Sequence, residues 1–98
     1  MPLSSLVRPA AEAAVYSAAS WYQDKEPELP LWLDLLDEFE AVLAQLCEFP
    51  ESAPVYENNV RRALLSRFPY ALYYVIESEQ LVVLRFLAMD LELGSGTR

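Results

Sequence analysis

Hydrophobic positions along the chain change their period once, near residue 60. The stretch "LSSLV" at residues 3–7 predicts a short strand ending just before Pro9. Proline is tolerated in the first turn of a helix, and "AAEAAVYSAASWYQD" then supplies strong helix formers. Ala11, Val15, Ala18 and Tyr22 share one face at helical spacing, with Ala14 and Trp21 beside them. So many alanines predict close approach to a neighbouring element. The segment "KEPELP" breaks this helix twice with proline. A second helix is predicted over 31–47, where Trp32, Leu35, Leu36, Phe39, Val42, Leu43 and Leu46 recur by threes and fours. The short connection makes the pair an αα-hairpin.

"EFPESAPVYENN" reads as a loop, since Pro50 and Pro54 interrupt any regular element. Beyond it, residues 60–68, 70–77 and 81–89 are rich in Val, Leu, Ile, Tyr and Phe, divided by "FP" and "ESEQ". Connections this short imply antiparallel hairpins. The expected class is α+β: a short N-terminal strand, an αα-hairpin, then a three-stranded antiparallel β-meander. One domain is expected over 1–93, with "GSGTR" at 94–98 as a small polar tail.

Composition narrows the function. At 98 residues and 54% hydrophobic content, the chain can build one core without disulfide or metal. Cys47 is the single cysteine, so no internal disulfide forms and a reducing compartment is expected. No histidine is present, which removes His-based zinc sites and Ser-His-Asp or Cys-His catalysis. No metal site and no cofactor are expected. The sequence lacks both a secretory signal pattern and a run of ~18 apolar residues, so a soluble, cytoplasmic protein without membrane association is expected.

The formal net charge of −8 opposes nonspecific binding to nucleic acid. The charge is unevenly placed, however: residues 1–57 carry a net −9 and residues 58–98 a net +1. Three of the seven basic residues, Arg61, Arg62 and Arg67, fall within "NNVRRALLSRFPYALYY", and three tyrosines follow at once. Strand alternation puts Arg61, Ala63, Leu65 and Arg67 on one face and Arg62, Leu64 and Ser66 on the other. The ordinary reading is that such arginines solubilise strand edges and pair with acidic helices. The sharper one is bidentate recognition of a carboxylate or another external target. Tyr70, Tyr73 and Tyr74 are expected mainly to pack, as aromatic residues in hairpins do. Asp34, Asp37, Glu38 and Glu40 read as a solvated helix face, and Cys47 as a small core residue.

Trp21-Tyr22 at a helix end, the loop Phe49-Pro50-Glu51 with Pro54, and above all the hairpin "VRRALLSRFPYALYY" at 60–74 resemble the RelE/ParE superfamily of bacterial toxins. The resemblance spans about residues 6–88 and sits nearer the ParE-like branch. It implies the toxin of a type II toxin–antitoxin system, acting on DNA gyrase and neutralised by a small, ParD-like antitoxin that covers an apolar groove and strand edges. It also implies that the free protein self-associates or is less stable than its complex. RelE-like members cleave mRNA on the ribosome without metal; such cleavage needs a base, an acid and charge stabilisation. Here the catalytic set is incomplete: Ala88 stands where a histidine is common, and Asp90-Leu91-Glu92 replaces a basic end. The ribosome is therefore the lesser target expectation, and a degenerate homologue that binds antitoxin without toxicity is an alternative. Candidate contacts with target or antitoxin are Arg61, Arg62, Arg67, Tyr73 and Arg85, with no catalytic residue assigned.

Overall fold

A computed structural model describes residues 1–89; the expected domain end at 93, the tail at 94–98 and residues 90–92 lie outside the described residues. The chain forms β1 (Ser4–Val7), α1 (Pro9–Lys25), α2 (Leu31–Glu48), β2 (Val55–Glu57), β3 (Val60–Leu64), β4 (Tyr70–Glu77) and β5 (Gln80–Ala88). Prolines punctuate the helical half. Pro9 opens α1, where its missing N–H would in any case lack an intrahelical partner. Pro27 and Pro30 flank the turn before α2, and Pro50 follows its C-cap, Phe49.

The strands form one five-stranded sheet in the order β1-β5-β4-β3-β2. β5, β4, β3 and β2 pair antiparallel in succession, whereas β1 pairs parallel with β5. The expected three-stranded meander is therefore only the centre of a mixed sheet. The N-terminal strand forms as expected; its place in the sheet and the presence of β2 were not foreseen, for different reasons. β1 was read as a strand, but its place beside β5 depends on the whole αα-hairpin crossing back over the sheet. β2 is three residues long between Pro54 and Asn58, too short to show a period. Asn58 turns the chain from β2 into β3 at φ 54°, a left-handed conformation that asparagine tolerates.

β3 also ends earlier than expected, at Leu64 instead of 68. The reason lies on α2. Glu38 accepts hydrogen bonds from the Ser66 N–H at 2.6 Å and the Ser66 hydroxyl at 2.8 Å, and from the Arg67 N–H at 3.3 Å. One turn earlier on the same helix, Asp34 pairs with the Arg67 guanidinium at 3.0 Å. Backbone groups expected in a strand ladder are thus tied to a helix. Two of the four carboxylates read as solvated are fastening points.

Both helices pack on one face of the sheet. α1 contributes Ala11, Val15, Ala18 and Ala19, whose small side chains bring it close. α2 contributes Leu35, Phe39, Leu46 and Cys47. They meet Ala63, Leu72, Tyr74, Leu81, Val83 and Phe86, the inward set of β3, β4 and β5. Phe39 and Phe86 meet edge to face at 5.5 Å, as do Tyr22 and Phe68 at 5.1 Å. Leu35, Leu72 and Leu81 are fully buried; burying such a side chain stabilises by about 1.5–3 kcal/mol.

Candidate functional site

The sheet face opposite the helices carries three of the expected contact residues. Along β3, Arg61 and Ala63 point to the helices, so Arg62 and Leu64 point away. Arg62 lies opposite Tyr73 on β4, and Tyr73 lies opposite Arg85 on β5. The three form one rung across the sheet. The next rung on the same face is Leu64, Ala71 and Leu87.

A bulge creates this alignment. Tyr73 pairs with Arg85 but Tyr74 pairs with Val83, leaving Leu84 as an extra residue in β5. Continuing the Tyr74–Val83 register without the bulge would set Arg85 opposite Leu72, facing the core. The extra residue instead turns Arg85 outward beside Tyr73 and sends Phe86 inward, where it is 2% exposed.

Tyr56 of β2 completes the site. Its ring lies edge to face with Tyr73 at 5.2 Å, and the Arg62 guanidinium sits over it at 4.7 Å. Tyr56, Tyr73, Arg85 and Leu87 line a groove of about 280 Å³, with Glu57 and Asn58 at the β2 end. Among the described residues the single ion pair is Arg67–Asp34, and no carboxylate of those residues lies within ion-pair distance of Arg62 or Arg85. In a protein with 15 acidic and 7 basic side chains, two such guanidiniums on one face are a notable reserve of positive charge. The arrangement presents charged, forked donors on either side of an aromatic ring, suited to holding an anion.

The other two candidate arginines serve the framework. Arg61 donates to the carbonyls of Ala53 at 2.6 Å and Glu51 at 3.2 Å, fastening the loop after α2. Arg67 is held by α2 as described. Tyr74, beside Arg61 on the inward face, is buried and donates its hydroxyl to the Pro50 carbonyl at 2.7 Å. Burial raises the Tyr74 phenol's pKa above its ordinary value despite the opposing field of Arg61, which keeps it a donor. Burial also raises the Tyr22 and Tyr70 phenols and the Cys47 thiol, all packing groups. Among the described residues, no cluster of three or more His, Cys, Asp or Glu could hold a metal ion, and no helix is long and apolar enough to cross a membrane.

No protein-family model and no curated protein matches the chain. A solved structure does: a chain of the chromosomal ParDE TA system from P. aeruginosa superposes with a TM-score of 0.79 at 15% identity. The match covers 90% of this chain and 97% of that one. The fold is ParE-like. Within it, the expected contact set separates into Arg62, Tyr73 and Arg85, which share one outward rung, and Arg61 and Arg67, which do not. Tyr56 was absent from the expected set because residues 55–57 read as loop. The available signal was Val55-Tyr56-Glu57 followed by Asn58-Asn59, a turn pair that suits a two-residue hairpin. No sequence signal marked the bulge that brings Arg85 into the ParE-like sheet's outward rung.

Proposed function

We propose that this protein is the toxin of a type II toxin–antitoxin pair, acting on DNA gyrase and neutralised by a small ParD-like antitoxin. The observation that carries this reading is the ParE-like fold matched over 90% of the chain. Its helix-free sheet face, with Arg62, Tyr73 and Arg85 in one rung, supplies a surface for target or antitoxin. Ribosome-dependent mRNA cleavage has less support. The rung offers guanidinium and phenol groups but no imidazole or amine to take a proton from a 2′-hydroxyl.

Adding the purified protein to a gyrase supercoiling assay tests the target. Loss of supercoiling, with filamentation and a DNA-damage response in expressing cells, is expected. Unimpaired supercoiling together with rapid arrest of translation contradicts the gyrase reading.

A second reading rests on Ala88, which lies exposed at the end of β5 where related toxins commonly carry histidine. On that reading the chain binds antitoxin but is not toxic. Restoring toxicity with Ala88→His and basic residues at 90–92 would favour it over the first.

A further inference from the structure

The helical side and the helix-free side of the molecule carry opposite charge patterns of similar layout. On the helix-free side Arg62 and Arg85 flank Tyr73 in one rung, and the exposed Leu64 and Leu87 stand beside it. On the helical side Glu12 and Tyr16 of α1 and Leu36 and Glu40 of α2 line a groove of about 120 Å³, with the buried Val15 and Phe39 beneath. Tyr16 is 59% exposed, and Leu33, about one turn before Leu36, is 44% exposed. Among the described residues the one ion pair joins Arg67 to Asp34. No cation of those residues therefore lies within ion-pair distance of Glu12 or Glu40, and no carboxylate of them within that distance of Arg62 or Arg85. Each side thus presents two like charges around a tyrosine, with exposed leucine next to them.

The spacings agree as well. Arg62 and Arg85 stand two strands apart, a separation of ~9.6 Å at the usual ~4.8 Å strand spacing. Glu12 and Glu40 sit on two packed helices, whose axes lie about 8–10 Å apart. Two carboxylates can therefore meet two guanidiniums at once, with Tyr16 and Leu36 against Tyr73. The chain itself supplies the complement of each side, which singles out a second copy as the occupant. We infer that the free protein associates head to tail, the Glu12–Glu40 groove of one copy seated on the Arg62–Arg85 rung of the next. This gives the expected self-association a direction and does not rest on the toxin reading. The net charge of −8 opposes association at long range. At ~0.15 M salt, however, screening acts beyond ~8 Å, and the paired groups lie inside that distance. The contact is heterologous: every pairing leaves one side of each copy free, so assembly continues past two chains.

Sedimentation equilibrium of the full chain over rising concentration tests this. The average mass should climb continuously past that of two chains at ~0.15 M salt, and climb less at ~1 M. Two double variants, Arg62→Glu, Arg85→Glu and Glu12→Gln, Glu40→Gln, should each associate at least about tenfold more weakly alone. Their equimolar mixture should form a complex of two chains and stop there. Only the first variant keeps the acidic groove, and only the second keeps the basic rung. Arg62→Gln, Arg85→Gln replaces the first variant where a thermal melt shows that it does not fold. An unaltered chain that stays monomeric overturns the inference and leaves both sides to other proteins. A dimer of fixed size overturns it too, since that requires a symmetric contact. So does a mixture in which the variants do not pair although both melt cooperatively. Normal growth on expression removes the toxin reading and leaves this result intact, whereas a monomeric protein that arrests growth removes the head-to-tail contact alone.

Discussion

Glu38 ties α2 to the segment that links β3 and β4, and replacing it should have a distinctive pH signature. One carboxylate oxygen accepts from both the N–H and the hydroxyl of Ser66, at 2.6 and 2.8 Å, and the Arg67 N–H lies at 3.3 Å. Desolvation acts to raise the carboxyl's pKa, but these donors and the nearby Arg67 charge together hold it below the usual glutamate value. A depressed folded-state pKa means that the ionised form stabilises the fold. That stabilisation is complete above the unfolded-state pKa of ~4.3 and is lost as pH falls through the lower folded value. Removing a charged acceptor costs about 1.5–3 kcal/mol at a buried site. Glu38 is only half-buried, so solvent screening reduces the expectation for Glu38→Ala to about 1–2 kcal/mol at neutral pH. In a domain of this size that lowers Tm by about 5–10 °C. Thermal melts of both proteins between about pH 7 and pH 3 provide the assay. The gap between them should narrow as pH falls below about 4. A variant as stable as the parent at pH 7, or a gap unchanged at pH 3, would exclude this role for the Glu38 carboxylate.

The other fastenings give smaller, independent expectations. Tyr74→Phe removes the buried hydroxyl that donates to Pro50 and leaves that carbonyl without this donor, so urea unfolding should show a loss of about 1–2 kcal/mol with an unchanged m-value. Arg61→Met should cost about 1 kcal/mol by releasing the carbonyls of Ala53 and Glu51. Trypsin should then cut faster at neighbouring basic sites; equal digestion rates would argue against the fastening role. Leu72→Ala, at a fully buried position on the central strand, should cost about 2–5 kcal/mol, and a chemical-denaturation midpoint close to the parent's would contradict the core assignment.

The sequence was legible where it was long and periodic. The two helices follow from proline punctuation and three-four spacing, and β4 matches its expected span because "YALYYVIE" is apolar and free of breakers. The sheet's outer strands were not legible as a sheet, since β1 pairs with β5 across more than seventy residues of sequence. Local pattern carries no register over such a separation. At the site, simple alternation separated Arg62 from Arg61 and Arg67, and the structure places them on opposite sides of the framework. Which outward residues meet Arg62 was a different matter. Tyr73 and Arg85 join it through two cross-strand registers and a bulge at Leu84, and a one-residue shift would have put Arg85 in the core. The uses of Asp34 and Glu38 were hidden for a similar reason: on a helix, a carboxylate that caps a distant turn looks the same as one that faces water.

The proposed function makes this ParE-like fold a toxin held in check by a small partner. The most direct measurement is growth after induction of the chain alone, beside induction together with the small reading frame next to its gene. Arrest is expected in the first culture and recovery in the second, with the two proteins copurifying. Undiminished growth of the first culture, with the protein present and folded, would contradict it.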